Sequence, residues 1–259
     1  MVTQIKGLIL GDIVWGEHDK LLSILTAEHG KVSVVLKGGS SLKSKIVGSC
    51  LPFAYAELTL GERNGSKPWV KEASEIRGFH GIREDLEETA VALYILDILN
   101  EVCLEDEESG EMLQLALNTL HAIETKMKPL LQLKAAFELR TAAACGFSPD
   151  LVTCVECGED VSEMMFLDVM DGVMTCRKCR DSHMGEAPEE GHTSIVLMLD
   201  KPMLDTMRLI CYSPPKKFLT FILPQEDESL FCSHCEKYLL NHLDKGFKSL
   251  DFFHSLAGI

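Results

Sequence analysis

The chain has 259 residues, 46% of them hydrophobic and 25% charged, with 25 Lys+Arg against 40 Asp+Glu and a formal net charge of −15. That composition is ordinary for a globular protein and excludes disorder, collagen-like repeats and long coiled coil; at about 150 residues per domain it allows between one and two domains. No run reaches about 18 uncharged apolar residues, so no membrane span is expected, and the opening MVTQIKGLILGDIVWGEHDK reads as a strand rather than a signal peptide, which makes a cytoplasmic location the expectation.

The first eighty residues read as short strands separated by turn signals: Ile5–Leu10, Leu21–Thr26, Lys31–Leu36, Ala54–Leu60 and Trp69–Ile76. Asn64-Gly65 lies at the turn of a predicted hairpin. Asp19–Thr26 fits a short helix equally well, because Leu21, Leu22 and Leu25 are helically spaced. Five strands in about 75 residues suit a small barrel, OB-fold or SH3-like.

Near residue 80 the period changes. Residues 86–103, 112–123 and 130–145 carry helical patterns, the first opened by the carboxylates Glu84, Asp85, Glu87 and Glu88, the third by Pro129 and closed by Gly146. Glu105–Glu108 between the first two reads as a solvated loop. Residues 150–182 lack periodicity. Beyond a Gly/Pro/Glu-rich linker, GEAPEEGH, helical patterns return at 203–213, 231–243 and 248–258. The domain plan is therefore a barrel over 1–80, helices over 81–153, a cysteine module over 154–182 and helices over 183–259.

Six of the ten cysteines form CxxC pairs: Cys154/Cys157, Cys176/Cys179 and Cys232/Cys235. Cys50, Cys103, Cys145 and Cys211 stand singly among apolar neighbours and read as small buried hydrophobes. CVEC, eighteen residues, then CRKC has the spacing of two knuckles that complete one tetrahedral shell of sulfur. Four thiolates leave no position for a water, so one structural Zn²⁺ per chain is expected, held by Cys154, Cys157, Cys176 and Cys179. A redox CxxC wants a strand before it and a helix after it, and SPDLVTCVEC reads as a loop. Cys232 and Cys235 fall at a helix start and are expected to pack there.

Net acidity argues against a general polyanion binder, but the charge is uneven. Residues 1–80 carry 10 basic and 8 acidic side chains, whereas 81–153 carry 5 and 14. A polyanion-binding surface is therefore sought on the barrel, at Lys6, Lys20, Lys31, Lys37, Lys43, Lys45 and Arg63, around the Gly/Ser-rich loop after Leu36, which could follow a phosphate backbone. That loop is no P-loop, since Lys37 and Leu42 stand where Gly is needed. Trp15 and Trp69 are the aromatics best suited to exposure, although packing in the core or at the barrel mouth is the favoured reading for both. No nucleophile elbow, dinucleotide fingerprint or paired-carboxylate cleft appears, and no enzymatic activity is expected.

Three stretches together resemble the bacterial RecO family of recombination mediators. The opening is similar to the family's at Glu17, Asp19, Lys20, Leu21, Thr26, Gly30, Lys37, Gly38 and Ser44; FELRTAAACGFSPDLVTCVECG is similar at Phe137, Glu138, Arg140, Gly146, Phe147, Pro149, Leu151, Cys154 and Cys157; the closing YLLNHLDKGFKSLDFF is similar at Lys248-Ser249-Leu250. The resemblance implies an α+β architecture, an N-terminal five-stranded OB-fold followed by an all-helical domain with a four-cysteine zinc module. It further implies binding of single- and double-stranded DNA, strand annealing, and help in loading RecA onto DNA covered by single-strand-binding protein. The implied partners are RecR at the N-terminal domain, the acidic C-terminal tail of the single-strand-binding protein, and RecA and RecF through the pathway, with a nucleoid-associated location. The tail would want a basic pocket on the helical body, for which Lys134, Arg140, Lys216 and Lys217 are the candidate charges. Cys232 and Cys235 fall outside the family pattern. The rival reading is a zinc-stabilised interaction adaptor with little DNA affinity of its own.

Overall fold

A computed structural model describes residues 2–39, 45–63, 65–160, 163–182 and 195–258. Alternating apolar residues and tight turns build five strands at the N-terminus: β1 (Val2–Trp15), β2 (Asp19–Thr26), β3 (Lys31–Leu36), β4 (Tyr55–Gly61) and β5 (Trp69–Arg77), with a four-residue helix α1 (Lys45–Gly48) between β3 and β4. They close into a barrel in the order β1-β2-β3-β5-β4, with β4 returning to β1. This is the five-stranded OB-like barrel expected, and its interior is filled by inward residues such as Ile9, Leu22, Ile24, Val34, Leu36 and Leu58. Closure between β3 and β5 is slight, a single parallel pairing of Val35 with Trp69.

Asp19–Thr26 is a strand although its leucines are helically spaced. Pairing on both edges, to β1 and to β3, and burial of Leu22 and Ile24 in the barrel override the local pattern. β1 is longer than expected because it runs past the barrel into a projecting hairpin, where Ile13, Val14 and Trp15 are exposed.

Chain-contact density divides the protein into two compact units: residues 1–130 with 247–259, and residues 131–246. The first joins the barrel to a 3-10 turn (His80–Glu84) and to helices α2 (Leu86–Val102), α3 (Gly110–Glu124) and α8 (Lys248–Ala257). Asp85 caps α2, its carboxylate accepting from the Glu87 and Glu88 amides at 2.9 and 3.1 Å. α8 packs on α2, with the Phe247 ring edge-on to Tyr94 at 5.5 Å and the Ser249 hydroxyl donating to Asp97 at 2.6 Å.

Glu105–Glu108 is not merely a solvated loop. Its backbone is bonded to the β2–β3 turn: Lys31 N–H donates to Leu104 C=O at 2.9 Å, Asp106 N–H to His29 C=O at 3.1 Å and Ser109 N–H to Ala27 C=O at 2.9 Å. The acidic side chains face water while the peptide groups extend the barrel's edge.

The second unit is built on α4 (Leu130–Ala144), whose residues 132–139 are all buried, with α5 (Arg177–Ser182), α6 (Lys201–Tyr212) and α7 (Glu228–Leu243). It is not all-helical. Residues 164–200 contribute a three-stranded antiparallel sheet in the order β7 (Met174–Cys176), β6 (Met164–Asp168), β8 (Val196–Asp200). The predicted GEAPEEGH linker lies outside the described residues.

Candidate metal centre and barrel cleft

Local chain geometry brings the two cysteine pairs together. Cys154 begins a tight turn in which Gly158 N–H donates to Cys154 C=O and Cys154 N–H to Glu159 C=O, both at 2.9 Å. Gly158 adopts φ +71°, which only glycine takes cheaply. Val155 N–H donates to Met174 C=O at 2.9 Å, tying this knuckle to β7. Cys176 ends β7 and Cys179 lies in the first turn of α5. The preceding loop is clamped from α6: Arg208 donates to Leu151 C=O at 2.6 Å and Val152 C=O at 2.7 Å, and the Tyr212 hydroxyl donates to Pro149 C=O at 2.8 Å.

The Sγ atoms of Cys154, Cys157, Cys176 and Cys179 all lie within 4.8 Å of one another, and those of Cys157 and Cys176 are 3.8 Å apart. An ion bound tetrahedrally through bonds of about 2.3 Å separates its sulfurs by about 3.8 Å, so the set fits such an ion. Burial opposes ionisation of Cys154, but the amides of Cys157, Cys176 and Glu156 outweigh it and hold the thiol at about 6. The Cys176 amide reaches the Cys154 sulfur at 3.3 Å. For Cys157 the Glu159 amide and the Cys179 thiol favour the thiolate, yet burial and the sulfurs of Cys154 and Cys176 prevail and push it up. Cys179 is pushed up by Cys157 first, then by burial and the other two sulfurs. Four sulfurs this close cannot all ionise without a cation to neutralise them, and a divalent metal supplies that charge. Among the described residues this is the set of His, Cys, Asp and Glu side chains that could hold a metal ion.

Cys232 and Cys235 take no part. Both are buried on α7, and Cys232 donates to Leu131 C=O at 3.4 Å.

On the barrel, structure sorts the seven predicted cations. Lys43 and the side chain of Lys45 lie outside the described residues. Lys6 faces Glu57 at 3.7 Å, Lys20 pairs with Asp12 at 2.9 Å, and Lys31 donates to Asn100 C=O near the end of α2. Lys31 and Lys37 stand at opposite ends of β3, about 20 Å apart at 3.3 Å per residue. The exposed Lys37 and Arg63 do meet, in an open cleft of about 590 Å³ lined by Trp15, Val35, Lys37, Arg63, Ser66, Lys67 and Trp69. The Lys37 ammonium sits 4.3 Å over the Trp69 ring. Asp19 fixes this end of the barrel, its carboxylate accepting from Gly38 N–H at 2.8 Å. The cleft lies between the β1–β2 and β4–β5 loops. Lys67, which sequence reasoning passed over, belongs to it; its signal was adjacency to Trp69 in the same loop as Arg63.

Two of the candidate charges for a partner pocket are spent internally. Lys134 is 2% exposed and bonded to Glu138 at 2.8 Å and Glu236 at 2.5 Å. A single ammonium serves two carboxylates there and presents no charge to the surface. Arg140 donates to the carbonyls of Ile210, Cys211 and Ser213 at 3.1, 2.7 and 3.0 Å, closing the C-terminus of α6. Lys216 and Lys217 are exposed on the turn that follows.

Comparison with known proteins accords with this architecture. The family model described as Recombination protein O N terminal matches residues 1–79, and Recombination protein O C terminal matches residues 83–251. A protein of Acetivibrio thermocellus described as DNA repair protein RecO is 26% identical over 98% of this chain and 97% of its own. Proteins so described from Thermoanaerobacter sp. and Anaeromyxobacter sp. are 24% identical over 98% of both chains, and 30% identical over 68% of this chain and 70% of their own. With both halves matched in order, and the barrel and cysteine centre in the places the resemblance requires, the chain belongs to the RecO family.

Proposed function

We propose that this chain is a non-catalytic DNA repair and recombination mediator that holds the phosphate backbone of single- and double-stranded DNA in the barrel cleft, promotes annealing and helps load RecA onto DNA covered by single-strand-binding protein. The observation that carries this reading is the cleft in which Trp15, Lys37, Arg63, Lys67 and Trp69 converge. Loops joining strands 1–2 and 4–5 of an OB-fold are where that fold takes oligonucleotides, and aromatic faces beside cations suit bases stacked next to phosphates. RecR, the acidic tail of single-strand-binding protein, RecA and RecF are the partners proposed from the family. Lys216 and Lys217 remain as exposed charges for the acidic tail. No described helix is long and apolar enough to cross a membrane.

The four cysteines are proposed to hold one Zn²⁺ as a structural ion. When bound it supplies the charge that lets all four sulfurs remain thiolates and cross-links the first knuckle to β7 and α5.

A fluorescent ~30-nucleotide single strand titrated across a salt series tests the DNA reading. Replacing Lys37, Arg63 and Lys67 by Gln is expected to weaken binding and to flatten the slope of log K against log salt by about 0.7 per lost phosphate contact. Trp15→Ala is expected to cost about 1–3 kcal/mol with the slope unchanged. Absence of binding at low salt would remove direct capture and leave the adaptor reading, in which partners hold the DNA.

A further inference from the structure

The four-cysteine centre is unevenly covered. Cys154 and Cys176 are 1% and 0% exposed, whereas Cys157 is exposed and Cys179 partly so. The outer edge of the centre therefore meets solvent while the inner edge is sealed by β6, β7 and the clamped loop. Cys50, Cys103, Cys211, Cys232 and Cys235 are buried, and Cys145 is half-buried with its thiol pushed up by burial. Oxidants in solution thus meet Cys157 as the exposed residue among the cysteines, and its sulfur sits in a cluster whose members lie within 4.8 Å of one another.

We propose that Cys157 is an oxidation site and that its disulfide with Cys179 releases the metal. Resting on the zinc assignment above, the step takes a peroxide as co-reactant. The Cys157 thiolate attacks one peroxide oxygen, the O–O bond breaks, and a sulfenic acid forms as hydroxide leaves and is protonated to water. The Cys179 thiolate then attacks the Cys157 sulfur, the S–O bond breaks, and a second water departs. Two thiolates lose two electrons in all, and one peroxide with two protons becomes two waters. With two of the four ligands consumed, the remaining pair would release Zn²⁺, and the cross-link between the first knuckle and α5 passes from the metal to the Cys157–Cys179 bridge. Cys179 is the partner because it shares the open edge and its sulfur lies within 4.8 Å of that of Cys157, whereas Cys154 and Cys176, the latter 3.8 Å from Cys157, are sealed from solvent, and the Cys154 sulfur is engaged by the Cys176 amide. Reduction of the bridge restores all four ligands, so the change is reversible.

The test treats the intact protein, its zinc content first measured by atomic emission, with stepwise hydrogen peroxide. Zinc release is followed with a chromogenic chelator, and thiols are mapped by differential alkylation and mass spectrometry. The expected result is release of one zinc per Cys157–Cys179 bridge formed, and reuptake of zinc after dithiothreitol. Cys157→His, which keeps a nitrogen ligand in a Cys₃His shell but removes the thiol, is expected to retain zinc and to slow release at least tenfold. Cys145→Ser is expected to release zinc as the unaltered protein does. Oxidation appearing first at Cys145, a first bridge between any other pair, or unaltered release from a zinc-loaded Cys157→His protein would overturn the proposal. Absence of zinc before any oxidant is added overturns the metal assignment itself, and is read separately.

Discussion

His234 shows how a single buried side chain makes the stability of the second unit depend on pH. It is 5% exposed on α7, and its Nδ1 meets no hydrogen-bond partner among the described residues. Burial, helped by the nearby charge of Lys237 and opposed by Asp200, lowers its pKa from 6.5 to about 4. The folded state therefore binds fewer protons than the unfolded state between these values. The stabilisation is complete above about pH 6.5 and is lost as pH falls towards 4. Urea unfolding at pH 7 and pH 4.5 is expected to differ by about 2–3 kcal/mol more for the unaltered protein than for His234→Gln, since each pKa unit is worth about 1.4 kcal/mol. Equal pH dependence in the two proteins would show that His234 is not the group responsible. Lys134, buried on α4 of the same unit, is also instructive, because residue type alone marks lysine as a surface charge. Glu138 was in view one helical turn away, but Glu236 lies about a hundred residues along the chain. Burial of the ammonium depends on that distant carboxylate.

Among the elements, the barrel was legible because its strands alternate with period two and are punctuated by glycine turns. Each of the five predicted strands forms, with ends shifted by a few residues. α2, α3, α4, α6, α7 and α8 were legible from their periodicity and caps. The β6–β7–β8 sheet was not. Its strands span five, three and five residues, and β6 reads MMFLD, buried at its three central positions, so no alternation marks it. The four-cysteine cluster was visible because the spacing of CxxC pairs is a local property of sequence. The cationic cleft of the barrel was visible only in part, since which lysines are neutralised depends on strand pairing that sequence does not display. The β2–β3 turn makes an element-scale test. Gly30 adopts φ +60°, and a Cβ there would stand 2.2 Å from Leu104 O and 2.5 Å from Glu107 O, both backbone atoms. The left-handed conformation alone costs a non-glycine residue about 1–3 kcal/mol. Gly30→Ala is expected to destabilise by at least that amount in urea unfolding, by prising residues 104–107 from the turn. A loss below about 0.5 kcal/mol would mean the loop yields freely.

For the whole molecule, two units with different sources of stability follow from the chain. The first is held by a closed barrel and by α8 on α2, the second by α4 at its centre and by a cysteine centre. Chelation of the proposed Zn²⁺ is expected to act on the second unit alone. Hydrogen exchange after treatment with a strong chelator should lose protection at residues 149–182 and keep it at β1–β5, whereas loss of barrel protection would show that the ion also supports the first unit. Net charge acts at the same scale. At −15, the proposed capture of DNA would depend on a local cationic cleft overcoming a repulsive whole, so affinity is expected to fall steeply above the salt at which that cleft is screened.

The packing of α8 against α2 also fixes an order in time. The first unit takes its final helix from residues 248–257, and residues 131–246 must be synthesised between its two parts. At about 5–20 residues per second, the barrel with α2 and α3 waits on the order of ten seconds on the ribosome before Phe247 can seat against Tyr94. During that wait the face of α2 that α8 will cover is open to water and to other nascent chains. The second unit, being continuous, can close first. A protein whose earliest segment is completed last is exposed to capture by chaperones at its N-terminal end, and its yield in the cell should track how quickly its last helix arrives.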